Sequence, residues 1–387
     1  MMKIGEVFCL IRNGASIKQS NGASGIPITR IETISNRTVD RNKFGYANIA
    51  NAAEYQDYLL QDGDILMSHI NSEKHLGKTA LYRKYSDEQI IHGMNLLLLR
   101  PNTEILLPDY AMYFLNSEVF LRQLPRITRK SVNQASFNIS ALKELDVYVP
   151  SINRQKEIVS VLDKVDAMLE RYKTQFKRLD DLVKSRFVEM FGDRNYPHTA
   201  LINLIKDGMG LSYGIVQPGD DGTGEMGVLR PVDMVDGKIS MASIKYIDRS
   251  IGDGFRKTEL TGDELLITVR GTTGVTALTD IRFAGMNVTR GIAVIRYDRE
   301  KINPVYLNAY LNTDESQRYI QEHTRGATLQ QINLSDLCVQ EVVVPPTNLQ
   351  NRFAAFVAEV DKSKLAVQQS LEKLETLKKS LMQQYFG

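Results

Sequence analysis

Only two cysteines, Cys9 and Cys338, occur in 387 residues. That is too few for a disulfide scaffold or a four-ligand structural zinc site, and it suits a reducing compartment. Long apolar runs are missing as well: those present, such as Met94 with Leu96 to Leu99, are far too short to span a bilayer. The opening Met1-Met2-Lys3-Ile4-Gly5-Glu6 lacks the basic start and apolar stretch of a signal peptide, so the chain is expected to be cytoplasmic. Nor does one sign of charge dominate. Forty-eight basic residues face 46 acidic ones, a formal net charge of +2, which excludes an acidic solvating tail and a histone-like polycation. At 43% hydrophobic and 24% charged residues, the composition is that of a globular chain long enough for two domains or slightly more.

Catalytic constellations are also lacking. Gly219 to Gly227 is glycine-rich, but no Gly-Lys-Ser/Thr closes it, so it reads as a flexible turn and not as a phosphate loop. Asp233 and Asp236-Gly237-Lys238 place two acids three residues apart in a turn, a poor frame for a metal nuclease. The five histidines, His69, His75, His92, His198 and His323, show no helical i, i+4 pairing of the kind that holds zinc. Val344-Pro345-Pro346-Thr347 lacks the asparagine and the aromatic of an amino-methyltransferase tetrapeptide, and no methyl-donor glycine motif accompanies it.

What is present is a duplication. Ile332 to Gly387 lies on Phe137 to Gly192 with a constant shift of 195 residues and no gap. Identical pairs include Asn138/Asn333, Leu142/Leu337, Val147/Val342, Pro150/Pro345, Gln155/Gln350, Asp166/Asp361, Lys184/Lys379 and Phe191/Phe386. In each copy an alternating strand-like run, Asp146 to Val149 or Glu341 to Val344, is closed by proline and followed by a long helical pattern. From Arg154 to Phe191 no proline or glycine intervenes, so this helix can run about 57 Å at 1.5 Å per residue.

Both helical stretches carry a heptad seam. In the first, Ile158, Val165, Tyr172 and Leu179 recur every seven residues, with Leu162, Leu169, Phe176 and Val183 four after each. The second has Phe353, Val360, Val367, Leu374 and Leu381, with Val357, Leu371 and Tyr385 at the other position, interrupted by Lys364 and Lys378. One such helix cannot bury its stripe alone. Two of matched length are expected to pair with each other, antiparallel, around a pseudo-twofold axis, with a globular domain at each end of the spacer.

The segments ahead of the helices repeat more weakly. Gly63-Asp64-Ile65-Leu66 answers Gly262-Asp263-Glu264-Leu265, Gly93-Met94-Asn95 answers Gly285-Met286-Asn287, and Pro108 with Tyr110 answers Pro304 with Tyr306. The two domains are therefore expected to share short strands and one helix, about Asp109 to Leu124 and about Pro304 to Glu322, while their loops differ.

Two surfaces could contact a polyanion. Between Val119 and Lys143 lie Arg122, Arg126, Arg129, Lys130 and Lys143 with no acid, flanked by Thr128, Ser131, Asn133, Gln134 and Ser136. A solvated loop with snorkelling arginines explains this stretch equally well. Its counterpart keeps Arg325, Thr328, Gln330 and Gln331 but adds Glu322. The second surface is the turn after each Gly-Asp strand, Ser68 to Lys78 and Thr268 to Gly274, where Asn71 could pair with adenine and Arg270 with guanine. Taken singly, these are also ordinary turns.

The Val147-Tyr148-Val149-Pro150 and Val342-Val343-Val344-Pro345 blocks, each followed by Gln155 or Gln350 and each opening a heptad helix, resemble the type I restriction-modification specificity subunits over essentially the whole chain. The resemblance implies an α+β fold of two similar α/β target-recognition domains, 1–152 and 194–347, with spacer helices 153–193 and 348–387 forming an antiparallel coiled coil. It implies a non-catalytic reader of double-stranded DNA with no cofactor. Each domain would read one half of a split, asymmetric site, and the helices would set the unspecified gap. Methyltransferase subunits, two in number, would dock on the helices, and motor-nuclease subunits would join through that core. The candidate DNA contacts are Ser68, His69, Asn71, Lys74, Lys78, Arg126, Arg129, Lys130, Asn133 and Gln134 in the first domain, and Arg230, Arg270, Thr272, Thr273, Arg290, Arg325 and Gln330 in the second. A coiled-coil scaffold that does not touch DNA, or an enzyme with an unfamiliar site, is the rival reading.

Overall fold

A computed structural model describes the chain except residues 21–24, 36, 50, 132–133, 193–194, 218, 220–223, 236 and 328, and the side chain of residue 20. It divides into two compact units, Met1–Lys173 with Gln369–Gly387, and Thr174–Gln368. No helix among the described residues is long and apolar enough to cross a membrane.

In the first unit, strands β1 (Phe8–Asn13), β2 (Ile65–Ser68), β3 (Thr79–Leu81) and β4 (Leu96–Pro101) form a sheet in the order β1-β4-β2-β3, extended beyond β3 by the short strands Thr38–Val39 and Ile34–Ser35. The continuous apolar run 96–99 becomes a strand buried on both faces. Leu97 and Leu99, with Ile65 and Met67 opposite, pack on helix α1 (Pro108–Leu115). Leu96, Leu98 and Leu66 point the other way, against Ala80 and Tyr82. Helix α2 (Ile152–Phe191) begins in this unit.

The second unit repeats the plan. Strands β5 (Ser212–Tyr213), β6 (Leu265–Thr268), β7 (Thr276–Leu278) and β8 (Ile292–Ile295) are ordered β5-β8-β6-β7. Leu265, Ile267, Ala293 and Ile295 face one core with helix α3 (Pro304–Leu311), while Leu266, Ile292 and Val294 face the other with Ala277. Helix α4 (Thr347–Phe386) starts here and ends in the first unit. Both blocks ahead of the long helices are strands: Asp146–Val147 pairs antiparallel with Met2–Lys3, and Glu341–Val343 with His198–Ala200.

The expected single helices after Pro108 and Pro304 are each broken after eight residues. Ser117 Oγ donates to the carbonyl of Phe114 at 2.6 Å and accepts from the N–H of Phe120 at 3.3 Å; Thr313 does the same between Tyr310 and Ser316. A hydroxyl at that position ends one helix and caps the next. Asn116 and Asn312, just before the break, donate to Thr79 and Thr276 of the central sheet at 2.8 and 2.6 Å.

The motif glutamines anchor the long helices. Gln155, fully buried, accepts from the N–H of Leu107 at 2.8 Å and donates to the carbonyls of Ile105 and Pro150. Gln350 accepts from the N–H of Asn303 at 2.8 Å and donates to Pro345. One amide thus joins the first turn of the long helix to the N-terminus of α1 or α3, and the glutamine follows its proline by five residues for that reason. Within each unit the two long helices run antiparallel. In the first, Arg154 lies against Tyr385 and Lys378 pairs with Asp166; in the second, Lys364 lies 2.6 Å from Asp180 and Phe187 packs on Phe353. The two lysines that interrupt the second seam are therefore ion-paired.

Candidate nucleic-acid interface

The central strand of each sheet starts with a buried acid. Asp64 accepts from Arg100 Nε and Nη2 at 2.7 and 2.8 Å and from the N–H of Gln61 at 2.7 Å. Its counterpart is Glu264, which accepts from Arg296 and the N–H of Thr261, both at 2.7 Å. The Gly-Asp equivalence drawn from the sequence is thus one residue out. Ladder register makes Ile65 the partner of Leu99 and Leu265 the partner of Ile295, so Asp64 corresponds to Glu264, not to Asp263. Burial alone would raise the Glu264 carboxyl, but the N–H and hydroxyl of Thr261, Thr279 and Arg296 together hold it below its ordinary value.

At the other end of that strand the chain turns back through glycine. Gly77 and Gly274 have φ of +76° and +86°, a region that glycine enters without strain, and their N–H groups donate to Ser68 and Thr268 at 2.8 and 2.9 Å. The polar loops 68–78 and 268–274 are held at equivalent places by the same hydrogen bonds.

The structure then merges the two surfaces that look separate in the sequence. In the first domain Arg129–Lys130, Ala135–Ser136 and Ile70–Asn71 form a small antiparallel sheet, with Arg129 opposite Ser136 and Asn71 opposite Ala135. In the second, Gln331 bridges both Arg325 and Arg270. The N–H of Phe137 donates to the carbonyl of His69, as that of Ile332 does to Val269. Arg129 and Arg325 are therefore equivalent, and each stands beside the loop leaving the central strand.

The candidates differ in what they present. Lys74, Lys78, Arg126, Arg129 and Gln134 are exposed, and these four cations have no ion-pair partner among the described residues. Lys130 is exposed but lies 2.7 Å from Glu73, tying the basic hairpin to the loop. Arg122 pairs with Glu118 at 2.6 Å, so the run without acids is compensated from just outside itself. Asn71 is half-buried, its amide 3.3 Å from Ser68 Oγ. Ser68 and His69 are buried at 2% and 6% exposure, so their side chains lie beneath the loop and not at its surface. Burial pushes the His69 imidazole down to about 4, and its ring packs edge-on to Phe137. Asn133 lies outside the described residues.

In the second domain Thr272, Arg290, Arg325 and Gln330 are exposed and Arg270 is half-buried. The carbonyl of Gly291, next to Arg290, accepts from the N–H of Arg270, and that of Gln330 from Gly271, so these residues form one group. Arg325 has an acid, Asp336, at 3.8 Å. Thr273 is buried against Thr324. Arg230 is committed inward: its guanidinium grips the buried Asp233 at 3.1 Å through two nitrogens and donates to the carbonyl of Ser243. Asp233 is thereby a structural anion; its sequence companion Asp236, like Thr328, lies outside the described residues.

Sequence reasoning missed Arg100 and Arg296. Their signal was available as a shared spacing of 196 with the pairs Tyr110/Tyr306 and Asn116/Asn312. No three His, Cys, Asp or Glu side chains converge among the described residues.

Residues 1–178 and 233–377 match the family described as the type I restriction modification DNA specificity domain. The chain is 29% identical over 97% of its length, and 90% of the relative's, to the MjaX type I restriction enzyme specificity subunit of Methanocaldococcus jannaschii. It is 22% identical over 70% of its length, and 65% of the relative's, to the EcoBI specificity subunit of Escherichia coli. Among solved structures, the S subunit of a type I system from M. genitalium matches with a TM-score of 0.56 at 15% identity, covering 100% of this chain and 95% of that one.

Proposed function

The chain belongs to the type I restriction-modification DNA specificity family, whose general role is DNA sequence specificity, and from that we propose that it reads a bipartite, asymmetric site on double-stranded DNA. Residues 1–152 contact one half and residues 194–347 the other, and the helices 153–193 and 348–387 set the unspecified gap between them. Two methyltransferase subunits dock on those helices, and motor-nuclease subunits join through that core. The chain itself is non-catalytic and takes no cofactor.

The observation that carries the reading is the equivalence of Arg129 and Arg325, each exposed beside a polar loop from the central strand, in two domains whose frameworks match and whose loops do not. Exposed arginines and lysines at matched places contact phosphates and fix orientation. Loops of different sequence next to them read different bases. In the first domain the contacts fall to Asn71, Lys74, Lys78, Arg126, Arg129, Lys130 and Gln134, and in the second to Arg270, Thr272, Arg290, Arg325 and Gln330. Ser68, His69, Arg230 and Thr273 support these surfaces from below.

The test is salt-dependent binding of duplex DNA by the methyltransferase complex that contains the chain. A plot of log K against log salt with a slope steeper than one supports the reading. Binding that is absent or indifferent to salt would leave a scaffold role.

A further inference from the structure

Most seam positions of α2 and α4 are apolar at heptad spacing, and such a seam can slide by one heptad with little change in apolar contact. Apart from Phe386, packed on Tyr110 and Phe114, and Phe187, packed on Phe353, what distinguishes one register from the next is charge. Lys364 and Lys378 occupy seam positions of α4 with side chains only 14% and 19% exposed. Each meets an aspartate of α2: Lys364 lies 2.6 Å from Asp180, and Lys378 is hydrogen-bonded to Asp166. Asp166 is further held by the Tyr113 hydroxyl at 3.0 Å and by Arg37 at 3.9 Å, and Lys364 has a second, weaker partner in Asp361 at 3.8 Å.

The spacing is the informative part. Fourteen residues, two heptads, separate the two aspartates, and fourteen separate the two lysines. We propose that Asp166–Lys378 and Asp180–Lys364 are a two-point lock that selects a single register for the helix pair. A slip of one heptad in either direction sets Asp166 against Tyr385 or Leu371, and Asp180 against Leu371 or Val357. A slip of two heptads keeps one pair at most. The lock also rejects a second copy of α2 in the place of α4: in the equivalent register Asp166 would face Val183 and Asp180 would face Leu169. A mostly buried charge without its partner is strongly unfavourable, whereas replacing a whole pair by apolar residues is often neutral for stability. The lock therefore acts on the uniqueness of the pairing more than on its strength. It bears on the gap proposed above, but its test reads helix register directly and stands whether or not that reading does.

The experiment uses the full chain with Cys9 and Cys338 changed to serine and spin labels on the exposed positions Lys156 and Lys373, both in the first unit and out of step along the helix axis by fifteen residues, about 22 Å. The unaltered seam should give one distance by double electron–electron resonance. In D166L/D180L/K364L/K378L the melting temperature should stay at or above that of the parent, while a second distance appears, displaced by about 10 Å, one heptad at 1.5 Å per residue. D180L/K364L, which retains one pair, should keep the single distance. A near-isosteric variant, D166N/D180N/K364Q/K378Q, should also show two distances, and it carries the test if the leucine variant does not melt cooperatively. One unchanged distance in a charge-free variant that folds overturns the proposal.

Discussion

Arg129 and Arg325 hold the same position in two different domains: Arg129 lies across a ladder from Ser136, Arg325 across a bridge from Gln331, and each partner residue immediately precedes the segment whose N–H bonds back to the central strand's loop. Such equivalence makes the two arginines comparable probes. Arg129→Ala and Arg325→Ala should each weaken binding almost uniformly across DNA sequences and reduce the salt slope by about one. A filter-binding or anisotropy salt titration checks this; loss confined to one sequence would mean that the residue reads a base.

Arg270 is expected to behave differently. It sits half-buried on the loop that leaves the central strand, tied through its backbone to Gln331 and Gly291, so its guanidinium is offered from a fixed base. Arg270→Ala should cost about 1 to 3 kcal/mol on the cognate site and relax one position of one half-site. Equal loss on all duplexes would remove the base-reading role.

The buried pairs that brace the central strands should dominate stability. Glu264→Ala strands Arg296, and Asp64→Ala strands Arg100, each at a cost of about 3 to 5 kcal/mol. The pH dependence has parts that share one direction, among them those of Glu264 and of the buried His69 and His92, both imidazoles being lowered to about 4 by burial. Glu264 has its carboxyl lowered on folding, so its contribution is complete above the ordinary glutamate value and is lost as acidity rises through the folded value. His69 is neutral and buried, lowered to about 4, so the unfolded chain takes up a proton first and stability falls from about pH 6.5 down to about pH 4. Chemical denaturation between pH 8 and pH 4 should show this loss, and a His69→Phe variant should lose less between pH 6.5 and pH 5. A flat profile over that range contradicts the burial argument.

The architecture was largely legible because a duplication can be checked against itself. Proline-closed strands, the long helices and their seams are periodic signals that survive in a single sequence. Three features were not. The helices after Pro108 and Pro304 break because Ser117 and Thr313 bond locally, and a hydroxyl within a helical pattern looks the same whether it caps or continues. Glu264 stands where Asp64 does only because strand register aligns them, while the text of the motif aligns Asp263. Ser68, His69, Thr273 and Arg230 have the composition of a binding surface, yet burial and the ion pair with Asp233 turn them inward, and those depend on distant partners.

Helix length offers a separate handle on the gap proposed between half-sites. Inserting four residues after Lys173 together with four after Gln368 adds about 6 Å and about 1.1 turns, so the seam drifts by only about 40°. The two insertion points coincide with the places where the chain divides into its compact units. Both half-site sequences should be kept while the unspecified gap grows by roughly one or two base pairs at 3.4 Å each. An active protein with the original gap would show that the helices do not set it.

The most direct measurement exchanges residues 1–150 for the corresponding domain of another specificity subunit and maps methylated adenines in a genome that carries the hybrid. Two independent readers on one framework predict that one half-site changes to that of the donor while the other keeps its sequence. If both half-sites change together, or neither does, the domains do not read DNA as separate modules and the account is contradicted.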